Sequence, residues 1–247
     1  MKKYLLLSLT LFFCQTLIIG QDETPRPMEW KDVSSWKSLS TFSTTISPDG
    51  QWSAYGLVTV EGDAELIVQK LDDPESKKTY KIGSTNFPSF SFSEDSQWIA
   101  FKEYPSFQAK KASKKKKGPP LKEKLSLVKL GEDEKMTIEN VRNFAFNGEA
   151  STHLAINLSP KKPNGSSKGS DLLIVHLADK KQQNIGNVSA FSFNKKGSHL
   201  AYTVDAEGKK GNGLYLLHVA DNRTSILDSD EATYQSLNWT EKGEAFA

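Results

Sequence analysis

Few residue types in this 247-residue chain could carry chemistry. It has four histidines, His153, His176, His199 and His218, and one cysteine, Cys14. The run Gly165-Ser166-Ser167-Lys168-Gly169 spells the G-x-S-x-G pattern that presents a nucleophilic serine. That pattern works only on a sharp turn from a buried strand into a helix, which lifts the hydroxyl over a sheet. Here Pro160, Pro163 and Asn164 precede it and another strand follows, so a flexible loop is expected. The carboxylates Asp72, Asp73, Asp179 and Asp221 fall at turns, where they bond local backbone. No pair of them has the setting of a general acid and base, and no glycine loop is fit to cradle a phosphate.

A zinc site needs three or four converging donors, and the histidines show no ligand spacing along the chain. His176 and His218 are expected at equivalent places on a recurring strand, where Gln69 and Lys129 stand in other repeats. His153 and His199 fall where Trp52 and Trp98 stand. A position that takes His, Gln, Lys or Trp reads as a structural slot. The sequence therefore assigns no catalytic, cofactor-binding or metal-binding residue, and no cofactor.

The first residues look like an export signal spanning 1–21. Lys2 and Lys3 precede a mostly apolar run from Leu5 to Ile19, and Gly20 offers a small residue before Gln21-Asp22-Glu23. The run is broken by Ser8, Thr10, Gln15 and Thr16, and is short against the about 20 apolar residues of a membrane span. A retained anchor is the alternative, and a lipid on Cys14 is disfavoured by the bulky Phe13 before it. After cleavage no stable membrane span would remain and no thiol would be left for disulfides or zinc. The expected location is periplasmic or extracellular. A net charge of +2 is too small to argue for nucleic acid.

What would hold any site in place is a repeat. An apolar or aromatic residue, a small polar residue and a turn recur at Ile46-Ser47-Pro48-Asp49-Gly50, Phe92-Ser93-Glu94-Asp95-Ser96, Phe146-Asn147-Gly148-Glu149-Ala150, Phe193-Asn194-Lys195-Lys196-Gly197 and Trp239-Thr240-Glu241-Lys242-Gly243. The spacings are 46, 54, 47 and 46 residues. An aromatic-rich strand precedes each turn, and a strand apolar on both faces follows, as in Gln97-Trp98-Ile99-Ala100-Phe101. A third strand recurs at 65–71, 125–130, 172–177 and 214–219, and a shorter fourth strand comes after it. Four antiparallel strands per repeat make the blade of an all-β propeller, with repeats starting near 42, 88, 142, 189 and 235 in a domain over 22–247. About four and a half blades are expected, which leaves a ring incomplete and a sheet edge unpaired. A truncated chain is therefore expected, since it stops inside the second strand of the fifth repeat.

Extra length lies between the second and third strands of the second and third repeats. The first insertion holds Lys110-Lys111 and Lys114-Lys115-Lys116-Lys117 before Gly118-Pro119-Pro120; the second runs from Pro160 to Ser170. Both are expected to be solvated, mobile loops. The lysines lack interleaved aromatics, so no nucleic-acid partner is assigned.

The first-repeat run Ile46-Ser47-Pro48-Asp49-Gly50-Gln51-Trp52, followed by Glu61-Gly62-Asp63-Ala64-Glu65-Leu66, resembles the first blade of bacterial secreted prolyl oligopeptidase family serine peptidases. The lysine-rich insertion before Leu125, the segment Ser192 to Tyr202 and the N-terminal leader resemble large exported members of the same family. The resemblance implies a seven- or eight-bladed propeller gating short peptide substrates toward a C-terminal α/β-hydrolase domain with a Ser-Asp-His triad. No position in this chain matches the triad motifs. A non-catalytic periplasmic propeller of TolB type, serving as a protein-binding module, is the alternative.

Overall fold

The computed structural model describes residues 26–115, 121–160, 167–234 and 236–245. The expected leader, Cys14, Lys116, Lys117, Gly165 and Ser166 lie outside them. The chain divides into a short unit ending at Ser35 and a main unit starting at Trp36. In the short unit a single-turn helix, α1 (Trp30–Ser34), is closed by Asp32, which accepts the Glu29 amide at 2.9 Å and pairs with Arg26. No helix among the described residues is long and apolar enough to cross a membrane.

The main unit is built from antiparallel strands. The first repeat forms a sheet in chain order from β1 (Ser38–Ile46), β2 (Trp52–Val58), β3 (Ala64–Lys70) and β4 (Lys78–Gly83). The second does the same with β5 (Phe90–Phe92), β6 (Trp98–Glu103), β7 (Lys124–Lys129) and β8 (Lys135–Glu139). The third and fourth repeats are joined in one seven-stranded sheet: β9 (Val141–Phe146), β10 (His153–Leu158), β11 (Ser170–His176), β12 (Gln182–Phe193), β13 (His199–Val204), β14 (Gly213–His218) and β15 (Arg223–Ser229). The joint is β12. Its first half pairs with β11 from Gln182 to Val188, and its second half pairs with β13 from Val188 to Phe193. Both pairings break register around Val188, so one strand closes the third repeat and opens the fourth. Each four-stranded repeat expected from the sequence is present.

Consecutive repeats bury a core between them. Leu66 and Val68 of β3 pack with Ile99 and Phe101 of β6. One repeat on, Leu125 and Leu127 of β7 meet Leu154 and Ile156 of β10. Leu172 and Ile174 of β11 then meet Leu200 and Tyr202 of β13. All but Tyr202 and the branched residues Val68 and Ile174 are sealed to 1% exposure or less. Burying each such side chain is worth about 1.5–3 kcal/mol, which makes the seams between sheets the main cohesive term.

The first insertion departs from the expected loop. Residues Phe107–Lys115 form a helix, α2, running through Lys110 and Lys111. The Phe107 amide is held at 2.6 Å by the Asp63 carboxylate, and the Ser106 hydroxyl accepts the Ala109 amide at 3.2 Å. Gln, Ala and Lys are good helix formers once such a cap starts the first turn. Lys110 bonds the Ser84 carbonyl and lies over the Tyr104 ring, so it is structural rather than free. The described end of the second insertion is anchored too: the Lys168 and Gly169 amides bond the buried Asp205 at 2.7 and 3.2 Å.

Candidate functional site

Two sets of side chains recur at the seams. The first set sits in the turns between the first and second strands. In the first repeat the Ser47 hydroxyl donates to Asp49 at 2.5 Å and accepts the Trp52 amide at 2.9 Å. Asp49 also takes the Gln51 amide, and these bonds, that from Ser47 foremost, hold its carboxyl below the usual range. Ser93, Asp95, Gln97 and Trp98 repeat the arrangement. In the third and fourth repeats an asparagine replaces the serine–aspartate pair. Asn147 accepts the Thr152 and His153 amides, each at 2.8 Å, and Asn194 accepts the His199 amide at 3.0 Å.

Each turn then reaches the next. The Asp49 amide donates to Ser96 Oγ at 3.0 Å, and the Asp95 amide to Ser151 Oγ at 3.0 Å. Asn147 Nδ2 donates to the Gly197 carbonyl at 3.2 Å, and Asn194 Nδ2 to the Gly243 carbonyl at 3.4 Å. Ser96 and Ser151 adopt φ of 55° and 47°, the left-handed region filled by Gly50, Gly197 and Gly243 in the other repeats. The serines accept that conformation and gain a bond to the preceding turn.

The second set is a cross-strand pair at the start of the second strand. Register places Trp52 opposite Lys70, Trp98 opposite Lys129, His153 opposite His176, and His199 opposite His218. Lys70, not Gln69, is therefore the first-repeat equivalent of His176, a one-residue correction to the expected alignment. The histidines also meet in space although nothing in their chain spacing suggests it: ring centroids are 4.9 Å apart in the first pair and 4.4 Å in the second. His176 Nδ1 lies 2.7 Å from Asp179, and Lys181 holds that carboxylate from the other side. Burial, reinforced by the neighbouring His176, pushes the His153 imidazole down. Among the described residues no three His, Cys, Asp or Glu side chains converge in a way that could hold a metal ion.

The turn carboxylates serve local backbone. Asp73 accepts the Glu75 amide, Asp179 the Lys181 amide and Asp221 the Arg223 amide. Ser167, Lys168 and Gly169 of the serine-like pattern lead into β11, a strand. Two open cavities lie where first strands of neighbouring repeats face each other. One, of about 510 Å³, is walled by Phe42, Phe87, Phe90 and Phe92 with Pro48 and Glu94. The other, of about 470 Å³, is walled by Phe144, Phe146, Phe191 and Phe193, again with Glu94. Phe42 and Phe87 are 86% and 64% exposed, so these rings are offered to whatever enters. Aromatic walls with a few polar groups suit apolar side chains of a bound chain.

No family model matches the sequence, and no curated protein matches it. Solved structures do. The β-propeller domain of the trilobed protease from Pyrococcus furiosus superposes with a TM-score of 0.51 at 13% identity, over 84% of this chain and 60% of that one. The fold is that of a β-propeller. A prolyl endopeptidase gives a TM-score of 0.47 at 14% identity, over 81% of this chain and 31% of that one. TolB from Acinetobacter baumannii gives 0.43 at 10% identity, over 84% of this chain and 47% of that one. The chain thus spans about a third of the prolyl endopeptidase and less than half of TolB. The four-stranded repeats are propeller blades, and the turn-to-turn bonds run from each blade to the next.

Proposed function

We propose that this chain is the N-terminal propeller part of an exported serine peptidase of prolyl oligopeptidase type. In this reading the blades restrict access to a catalytic α/β-hydrolase domain that follows in the same polypeptide. The carrying observation is the stack of blades sharing the fold of the trilobed protease propeller, on a chain whose first repeat resembles the prolyl oligopeptidase family. The phenylalanine-walled cavities between first strands support a peptide as the molecule admitted. The propeller would position and select; the acyl chemistry would belong to the other domain.

The test is the protein encoded by the whole reading frame. It is expected to hydrolyse short peptides, to be labelled by a serine-directed fluorophosphonate, and to lose both properties when the labelled serine becomes alanine. The 247-residue chain by itself should do neither. Phe42→Ala with Phe87→Ala should raise KM severalfold and leave labelling intact, since both rings are exposed and little packing is lost. A full-length protein that takes no label and instead co-purifies with an envelope protein would replace this reading with the TolB-type binding module.

A further inference from the structure

The slot at the start of each second strand changes both of its members together. In the first blade it holds Trp52 and Lys70, with the ammonium 5.7 Å over the indole, and in the second Trp98 and Lys129. In the third and fourth blades both members are histidine: His153 with His176 across β10 and β11, and His199 with His218 across β13 and β14. The Leu177 amide bonds the Thr152 carbonyl at 2.8 Å, and the Val219 amide bonds the Ser198 carbonyl at 3.0 Å. Each bond joins the neighbours of a pair, which makes the histidines a non-hydrogen-bonded pair, the position where opposed side chains come closest. One ring against one alkyl stem fills the slot in the first two blades. Two facing imidazoles bring a different chemistry.

The rings are held as metal ligands are held. His176 Nδ1 lies 2.7 Å from Asp179, His153 Nδ1 2.9 Å from the Thr152 hydroxyl, and His199 Nδ1 2.9 Å from the Ser198 hydroxyl. Ligating histidines are oriented in this way through the nitrogen that does not touch the metal. Among the described residues no hydrogen bond occupies the Nε2 of any of the four rings. With a metal–nitrogen bond of about 2.0 Å, two imidazoles at right angles on one ion have ring centroids about 4.5 Å apart, and at the tetrahedral angle about 5.2 Å. The observed separations are 4.9 Å and 4.4 Å. The first pair lines a cavity of about 230 Å³, room for a hydrated ion, where Gln182, Gln183 and Asn222 offer partners to its water. Lys181 lines it too, with its charge paired to Asp179. Beside the second pair, Asp221 and Arg223 are paired with each other at 3.7 Å. Burial pushes the His153 and His199 imidazoles down, which favours the neutral form that ligates.

We infer that each histidine pair, His153–His176 and His199–His218, is a two-imidazole site for a divalent transition metal, copper(II) foremost, with water completing the coordination. Imidazole suits copper, zinc and nickel, and copper(II) heads the affinity order of the first-row divalent ions. A tetragonal copper(II) ion takes two adjacent imidazoles and leaves its other positions to water, so it does not need the third side chain that these pairs lack. Bound there, the ion ties the second strand to the third in each of two blades and stabilises the folded chain. The sites are independent of the proposed peptidase role, which gives these histidines no part.

The experiment titrates copper(II) into the 247-residue chain, by calorimetry and by electron paramagnetic resonance, and repeats this with His176→Gln, His218→Gln and the double variant. The equivalent positions carry Lys70 and Lys129 in the first two blades, so glutamine should leave the fold intact, which circular dichroism checks. The parent should hold two more equivalents of copper than the double variant, and one more than either single variant. Nitrogen couplings in the parent spectrum should report two imidazoles on each ion. Comparison between variants cancels any copper held by the amino terminus or the backbone. A double variant that binds as many equivalents at the same affinity overturns the inference. So does either single variant that matches the parent, or a spectrum that reports one imidazole per ion.

Discussion

Gly50 and Gly197 hold the same turn position, with φ of 71° and 72°, but their surroundings differ. A Cβ on Gly50 would meet nothing within 4 Å, whereas one on Gly197 would lie 1.7 Å from the Asn147 carbonyl oxygen. Gly50→Ala should therefore cost only the left-handed backbone penalty of about 1 kcal/mol. Gly197→Ala must also displace the neighbouring turn, and should cost about 2–4 kcal/mol. Urea midpoints of the two variants decide the point; equal losses would mean the turns do not touch. His153 gives a second prediction at this scale. Its folded-state pKa lies below the unfolded value of about 6.5, so the unfolded chain binds more protons. Stability should fall as pH drops below about 6.5, and His153→Gln should flatten that slope. A steeper slope in the variant would contradict the assignment. The opposition of the histidines was not legible in the sequence, because cross-strand register depends on the length of the intervening loop. The residues that follow β10 and precede β11 carry no periodic signal from which that register could be read.

At the scale of elements, the strands were legible because each second and third strand is apolar on both faces, which only a sheet covered on two sides requires. The fusion of the third and fourth repeats through β12 was not. Asn187 takes φ of 57°, yet the chain bulges there and continues as strand. Helix α2 was hidden by its lysines. Charge suggested solvent, while the deciding contact, Asp63 on the Phe107 amide, comes from 44 residues away. A paired substitution probes the seams. Ile174→Ala, in a covered position, should cost about 2–5 kcal/mol, and Leu216→Ala, its half-buried equivalent, about 1 kcal/mol or less. Chemical denaturation of the 247-residue chain provides the comparison. A larger loss at Leu216 would show that something already covers that face.

For the molecule as a whole, stability depends on sheets stacking rather than on any sheet alone, as in repeat architectures with nearest-neighbour coupling. The recurrence of 46 to 54 residues, visible in the sequence, is the length of one blade plus its insertion. What the sequence could not reveal is how neighbouring blades grip each other. Ser96 and Ser151 look like ordinary turn residues until their hydroxyls are seen bonding the preceding turn.

Residue-resolved amide hydrogen exchange tests that grip most directly. The amides of Asp49, Asp95 and Glu149 lie in the middle of turns, and each acceptor belongs to the following blade. If the blades stack, these three amides should exchange as slowly as those of the flanking strands. If the strand amides are protected while these three exchange at the rate of an open turn, the sheets stand apart and the account fails.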